Sequence, residues 1–205
     1  FHMKGELQKL ALQELRQKGK KRTRKGEETR GKLANITLID ERPLQANERT
    51  IPGHWEGDLI IGKDHKSALS VIVERQTRYV LIDRLESYSA SEVRKSIEKR
   101  LRTVEPELVK SLTCDQGKEM AEHETMASRI KMKVYFCHPH SPWEKGTCEN
   151  TNYLIRDMLA GETDFRNLSQ RDILRVARLL NERPRQTLGM KTPKDKFKAL
   201  CAESC

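Results

Sequence analysis

Three carboxylates in this chain stand where their order and surroundings could do phosphoryl-transfer chemistry. Asp58 lies in GHWEGDLI, Asp115 in LTCDQG and Glu149 in TCENTN. Asp58 opens one apolar run, Asp115 closes another, and Glu149 falls on a helix-like stretch after a third. Three converging carboxylates repel one another strongly unless cations neutralise them. Oxygen donors that leave positions for water suit Mg2+ or Mn2+. Two such ions about 4 Å apart can activate an attacking oxygen and stabilise a leaving one. The bland alternative has weight: the chain holds 30 acidic residues, and Asp at a strand end is an ordinary turn or cap residue. Whether the three meet depends on the elements that carry them.

Other residues stand close to these motifs in sequence. Lys118 and Lys145 sit in turns beside the second and third, where phosphate contacts are plausible. Asn152 could reach a phosphate or a base edge. Arg156 follows Glu149 by seven residues, two turns along one helix face. Arg183 and Arg185, in NERPRQ, are candidates for phosphate contact or belong to a rigid Pro-flanked surface turn. Glu56 shares a strand face with Asp58 and reads as a structural or supporting acid. His54 and His123 read as hydrogen-bonded structural histidines. Trp143 is expected to anchor its loop by packing. Zinc could be drawn from Cys137, His138, His140 and Cys148, but no C-x2-C or H-x3-H pair is present. Five cysteines without regular spacing read as free thiols.

The elements follow from periodicity. DLIIG, SALSVIVERQ and YVLIDRLES read as three closely spaced strands, hence an antiparallel meander. Residues 89–103 start with a serine cap and repeat apolar residues every four positions, which predicts a helix. VKSLTCD is a strand, EMAEHETMASRIK a helix and KVYFC a strand. Residues 147–159 and 169–182 read as helices, with a short final helix in the basic tail. Strands alternating with helices pair in parallel through crossovers. The sum is an α/β domain whose mixed five-stranded sheet has helices on its flanks.

Charge divides the chain unevenly. It has 205 residues and a net charge of +10. Nine Lys/Arg against two Glu fall between Arg16 and Lys32, a surplus of +7 that leaves +3 for the rest. Lys20, Lys21, Arg22 and Arg24 belong to this run and are expected to supply sequence-independent affinity for nucleic acid. Residues 4–17 read as an amphipathic helix ahead of it. The expected division is residues 1–52 as N-terminal helix and basic linker, and 53–205 as the globular domain. No apolar run approaches the roughly 18–20 residues that span a bilayer, and no signal-peptide pattern opens the chain, so no membrane partner is expected.

The segments GHWEGDLIIG, SLTCDQGKEMAEH, VYFCHPHSPWEKGTCENTN and LNERPRQTLGMKTP closely resemble the DDE transposases of bacterial insertion sequences, in particular the group named for insertion sequence thirty. The wider relatives are the retroviral integrase cores. The likeness runs from about Arg42 to about Phe197, with 33 residues between Asp115 and Glu149. The resemblance implies a ribonuclease-H-like fold, with Asp58, Asp115 and Glu149 as catalytic residues and metal ligands. It implies two Mg2+ ions, with Mn2+ as a substitute, and DNA cleavage and strand transfer at transposon ends. DNA ends and target would be the partners, a homodimer or higher oligomer the working assembly, and the bacterial cytoplasm, at the nucleoid, the location. The helix-turn-helix region expected upstream is not in these residues. Departures from the family pattern are Cys114, Gln116, His138-Pro139-His140 and Thr147-Cys148. None removes a carboxylate. A non-catalytic DNA-binding relic and a structure-specific nuclease on the same fold remain as alternatives.

Overall fold

A computed structural model describes residues 33–159 and 164–203. Lys20, Lys21, Arg22, Arg24 and the expected helix over 4–17 lie outside these residues. The described chain starts with a single 3-10 turn, Ile39–Glu41, and a short helix α1, Leu44–Glu48. Strand β1 (His54–Ile61) pairs antiparallel with β2 (Ala68–Glu74), and β2 pairs antiparallel with β3 (Val80–Leu85). Helix α2 (Ala90–Leu101) leads to β4 (Ser111–Cys114), parallel to β1. Helix α3 (His123–Ile130) leads to β5 (Lys133–Phe136), parallel to β4. Helices α4 (Gly146–Met158), α5 (Gln170–Glu182) and α6 (Pro193–Glu203) follow. The sheet order is β3-β2-β1-β4-β5. This is the meander with two parallel additions that the strand spacing predicts, and it is the ribonuclease-H-like plan.

Alternation along the strands sends side chains to two cores, because successive residues face opposite sides of a sheet. On one face Trp55, Ala68, Ile72, Leu112, Cys114 and Phe136 pack with Val93, Ile97 and Leu101 of α2 and Met126 of α3. On the other, Ile60, Leu69, Val71, Val73, Val80 and Ile82 pack with Cys148 and Ile155 of α4 and Ile173, Val176 and Leu180 of α5. Asn181 fastens α5 to the sheet edge: its amide accepts from Val80 N–H and donates to Val80 C=O, both at 2.8 Å. That satisfies backbone groups which an edge strand would otherwise leave open.

Two local differences from the sequence expectation have plain causes. Strand β1 begins at His54, four residues before Asp58, so Asp58 sits in mid-strand. Trp55 extends the strand by burying its indole and donating its N–H to Leu108 C=O at 2.8 Å. Glu56 extends it by being buried as an ion pair, which hides the apolar–polar alternation. The stretch after Leu33, which reads as linker, packs on the sheet in this structure. Leu38 bridges to Phe136, and Phe136 N–H donates to Thr37 C=O at 2.9 Å. Buried Arg42 donates to Thr113 Oγ1 at 3.0 Å.

Helix α4 has an unusual start. Its N-cap residue, Lys145, makes no side-chain cap. The first-turn N–H of Cys148 donates instead to Glu56 Oε2, at 2.9 Å, from across the packing interface. Glu56 is 0% exposed and forms an ion pair with Arg75. Arg75 also donates to Ala46 C=O at 3.0 Å, so α1 joins the same tether. Removing one member of a buried ion pair costs about 3–5 kcal/mol, because the other is left uncompensated. Glu56→Ala should therefore lower the unfolding free energy by about 3 kcal/mol or more in a denaturant titration. Glu86→Ala, which removes the exposed partner of Arg84, should change it by less than about 1 kcal/mol.

Candidate active site

The β1–β4 register brings two aspartates side by side. Glu56 stands opposite Thr113 in this parallel pair, and two residues further along each chain come Asp58 and Asp115. Glu56 and Asp58 share one face of β1 with Ile60, the face that α4 covers. Neighbouring strands lie about 4.8 Å apart, so the two carboxylates are close enough to share a cation. They do share one. Lys145 Nζ lies 3.1 Å from Asp58 Oδ1 and 3.4 Å from Asp115 Oδ2. The lysine side chain is 7% exposed. Burial works against its charge, yet Asp58 and Asp115 outweigh burial and hold its pKa above the ordinary lysine value.

Helix α4 presents one stripe to β1. Lys145 precedes its first turn, and Glu149, Asn152 and Arg156 follow at spacings of four, three and four residues. Asn152 Nδ2 donates to Asp58 Oδ2 at 2.8 Å. Arg156 donates to Ile61 C=O at 3.4 Å. Glu149 stands between Lys145 and Asn152 on this stripe, with its side chain exposed. Among the described residues no three Asp, Glu, His or Cys side chains are grouped closely enough to hold a metal ion. The structure thus brings Asp58, Asp115, Lys145 and Asn152 together and leaves the Glu149 side chain outside.

The donor chemistry fits a hard divalent cation. Asp58 and Asp115 offer carboxylate oxygens already arranged around one positive charge, and Asp115 is half exposed, leaving room for water. Glu119 is a further acid that the sequence reading missed. It lines the same cleft as Asp58, Asp115 and Gly57, and burial, with Asp115 and Asp58 adding to it, raises its pKa. Only the fold signals it, since EMAEH reads as helix. Gly57 allows close packing here: a Cβ would stand 3.0 Å from Cys114 Sγ and 3.1 Å from Leu112 Cδ1, and these side chains would have to shift.

The family departures have structural roles. Cys114 and Cys148 are fully buried, and burial pushes their thiols well up, so both pack as small apolar side chains. Burial raises Cys137 to about 12. Gln116 donates to Cys137 C=O at 3.1 Å, tying the ends of β4 and β5. His138 pairs with Glu144 Oε1 at 3.0 Å and with Asp40 Oδ2 at 2.9 Å, which fixes the loop before α4.

The remaining candidates are dispersed. Lys118 is exposed at the start of a 3-10 turn. Arg183 and Arg185 lie just after α5, which packs on β3, two strands from β1. His54 is buried against Ser111 Oγ at 2.7 Å, and burial, then Lys110, lowers its pKa to about 4. His123 is buried and bonded through Nδ1 to Met120 C=O at 3.1 Å. Trp143 is 73% exposed, which corrects the expectation of packing: the loop is held by His138–Glu144 and Lys145 instead. Among the described residues no helix is long and apolar enough to cross a membrane.

The integrase core domain family matches residues 49–142. The transposase for insertion sequence element IS1086 of Cupriavidus metallidurans is 41% identical over 192 residues, covering 93% of this chain and 57% of its own length. Transposase InsI for insertion sequence element IS30A of Escherichia coli is 40% identical over 200 residues, covering 95% of this chain and 52% of its own length. The chain spans about half the length of these curated relatives. The catalytic core domain of BIV integrase matches with a TM-score of 0.59 over 75% of this chain and 99% of that chain, at 18% identity. That likeness shows the fold.

Two outcomes follow from the charges. A divalent cation entering between Asp58 and Asp115 competes with the Lys145 ammonium. Lys145→Met should tighten Mn2+ binding by about tenfold or more, read as free Mn2+ by electron paramagnetic resonance; unchanged affinity would mean that Lys145 does not compete. The hydrogen bond to Glu144, with the charge of Asp40 adding to it, raises the pKa of His138 above its ordinary 6.5. A raised folded pKa gives stability that is complete below the unfolded value and disappears as pH rises through the folded one. His138→Ala should remove that pH-dependent part from denaturant titrations run at a series of pH values.

Proposed function

We propose that the chain, which is similar to integrase-core transposases of the IS30 group, is the DDE catalytic core that cuts DNA at insertion-sequence ends and joins them to target DNA. The observation that carries this reading is the pair Asp58 and Asp115, adjacent by strand register and sharing a single cation. Asp58 and Asp115 would hold Mg2+, with Mn2+ as a substitute and two ions in the working site. Glu149, on the α4 stripe between Lys145 and Asn152, would be the third ligand. A bound divalent ion lowers the pKa of an attacking oxygen and stabilises charge on a leaving one.

The chain's own residues do the rest. Asn152 holds Asp58 through one oxygen and leaves the other to a cation. Lys145, once displaced, is a buried-stem ammonium at the edge of the site, suited to a phosphate oxygen. In the first step a water oxygen forms a bond to phosphorus as the P–O3′ bond breaks, which frees a 3′-OH on the element and leaves the phosphate on the flanking strand. In the second step that 3′ oxygen bonds to a target phosphorus and displaces the target's own 3′ oxygen, which takes up a proton. One phosphodiester replaces another, so no energy source and no Ser or Tyr nucleophile is needed. Two ends joined together call for a dimer or higher oligomer on DNA.

The test is a cleavage and strand-transfer assay on a duplex carrying the element's end sequence, with Mg2+, Mn2+ or chelator. Asp115→Asn and Glu149→Gln should each lose at least about 100-fold in rate, as expected when charge stabilisation in a transition state is removed. Retained DNA binding in those variants would separate chemistry from affinity. Cutting without joining would favour a nuclease. Binding without metal-dependent cutting, in a chain that includes the upstream region, would favour a non-catalytic relic.

A further inference from the structure

A second cluster of charge lies on the α4 face of the sheet, one step back from the aspartates, and the cation-site reading leaves it unexplained. Arg49 follows α1 and Arg78 lies in the β2–β3 turn, both at left-handed backbone positions (φ 59° and 64°). Their guanidinium groups converge on a single hydroxyl: Thr147 Oγ1 accepts from Arg49 at 3.0 Å and from Arg78 at 2.6 Å. Three separate segments therefore meet at the first turn of α4. A hydroxyl neutralises neither charge.

Behind them stand Arg42 and Arg75, both buried. The two buried carboxylates nearby are already committed. Glu56 pairs with Arg75 and caps Cys148 N–H. Glu74 accepts from Gly53, Gln76 and Thr77 backbone N–H groups and from the Thr77 hydroxyl. Among the described residues, Arg42, Arg49 and Arg78 form no ion pair with a carboxylate. Burial, then Arg75, lowers Arg42 to about 10, and burial, then Arg49, lowers Arg78. Arg42 and Arg75 face inward, whereas Arg49 and Arg78 are only half-buried and remain within reach of solvent. An uncompensated positive cluster with two accessible guanidinium groups and a helix N-terminus beneath it suits an anion, and planar guanidinium forks suit phosphate in particular.

Position selects which phosphate. Thr147 precedes Glu149 by two residues, and Glu56 precedes Asp58 by two, roughly 7 Å of strand. A DNA strand advances about 3.4 Å along its axis per phosphate. We propose that Arg49 and Arg78 seat a backbone phosphate of the bound DNA strand, about two nucleotides from the phosphodiester at Asp58 and Asp115. This rests on the reading that the core acts on DNA, and it adds a contact that fixes the strand's register without reading its sequence. The Thr147 hydroxyl keeps both guanidinium groups aimed while the seat is open.

The experiment measures duplex DNA binding by the full 205-residue chain across a salt series, by fluorescence anisotropy. Arg49→Gln with Arg78→Gln should weaken binding about tenfold and lower the log–log salt slope by about 1. Arg49→Lys with Arg78→Lys should recover most of the slope. Arg102→Gln with Arg129→Gln removes the same charge from exposed side chains beside Glu98 and should leave the slope unchanged. A double glutamine variant that keeps the wild-type slope, or that changes no more than the Arg102/Arg129 control, would overturn the proposal. If the wild type binds and cuts DNA but the slope stays, only the phosphate seat fails. If the wild type shows no salt-dependent binding, the DNA-processing reading fails and the seat with it.

Discussion

The buried carboxylate of Glu56 is the constraint on which the site depends. It lies two residues before Asp58 on β1, holds Arg75 as an ion pair, and accepts the first-turn N–H of α4. A helix that lacks its own N-cap is thereby pinned at one height over one strand. From that height the stripe of Lys145, Asn152 and Arg156 meets Asp58 and the end of β1. The same stripe carries Glu149. A carboxylate buried at that cost is more than helix capping requires. Its position makes sense because it fixes a geometry that the apolar contacts of Cys148 and Ile155 alone would leave free to slide.

Electrostatics then divides the α4 face of the sheet into two neighbouring regions. Around Asp58 and Asp115 negative charge converges, and a single ammonium balances it. Around Thr147 positive charge converges, with its nearby carboxylates spent on the fold. Phosphoryl transfer on a polyanion needs both: a place where cations gather around the reacting phosphate, and a place where the flanking strand is held.

The fold was largely legible in the sequence, because it rests on periodicity. The apolar run in SALSVIVE and the helical spacing in residues 89–103 survive in β2 and α2 almost unchanged. Where the reading fell short, polar residues were doing structural work. The expected strand DLIIG left out the buried Trp55 and Glu56 ahead of it, so β1 was expected to begin too late. Arg42 and Thr37 read as linker, although they bond to Thr113 and Phe136. Asp58 and Asp115 were found through their motifs and meet through strand register. Lys145 was expected as a phosphate contact or a solvated lysine; nothing in WEKG signals that it bridges the two aspartates. Trp143 was expected to pack because tryptophan usually does, and it is exposed. The Arg49–Arg78 convergence joins segments 29 residues apart, and from there a helix 69 residues further on. No local pattern encodes such a meeting.

The central claim is that Asp58, Asp115 and Glu149 act as one divalent-cation site. The most direct measurement is an anomalous diffraction map of crystals grown with Mn2+. The account predicts a peak between Asp58 and Asp115, the Lys145 ammonium moved away from both, and the Glu149 carboxylate turned in to the ion. A map without a peak there, or with Mn2+ bound while Glu149 still points to solvent and Lys145 still bridges the aspartates, would contradict it.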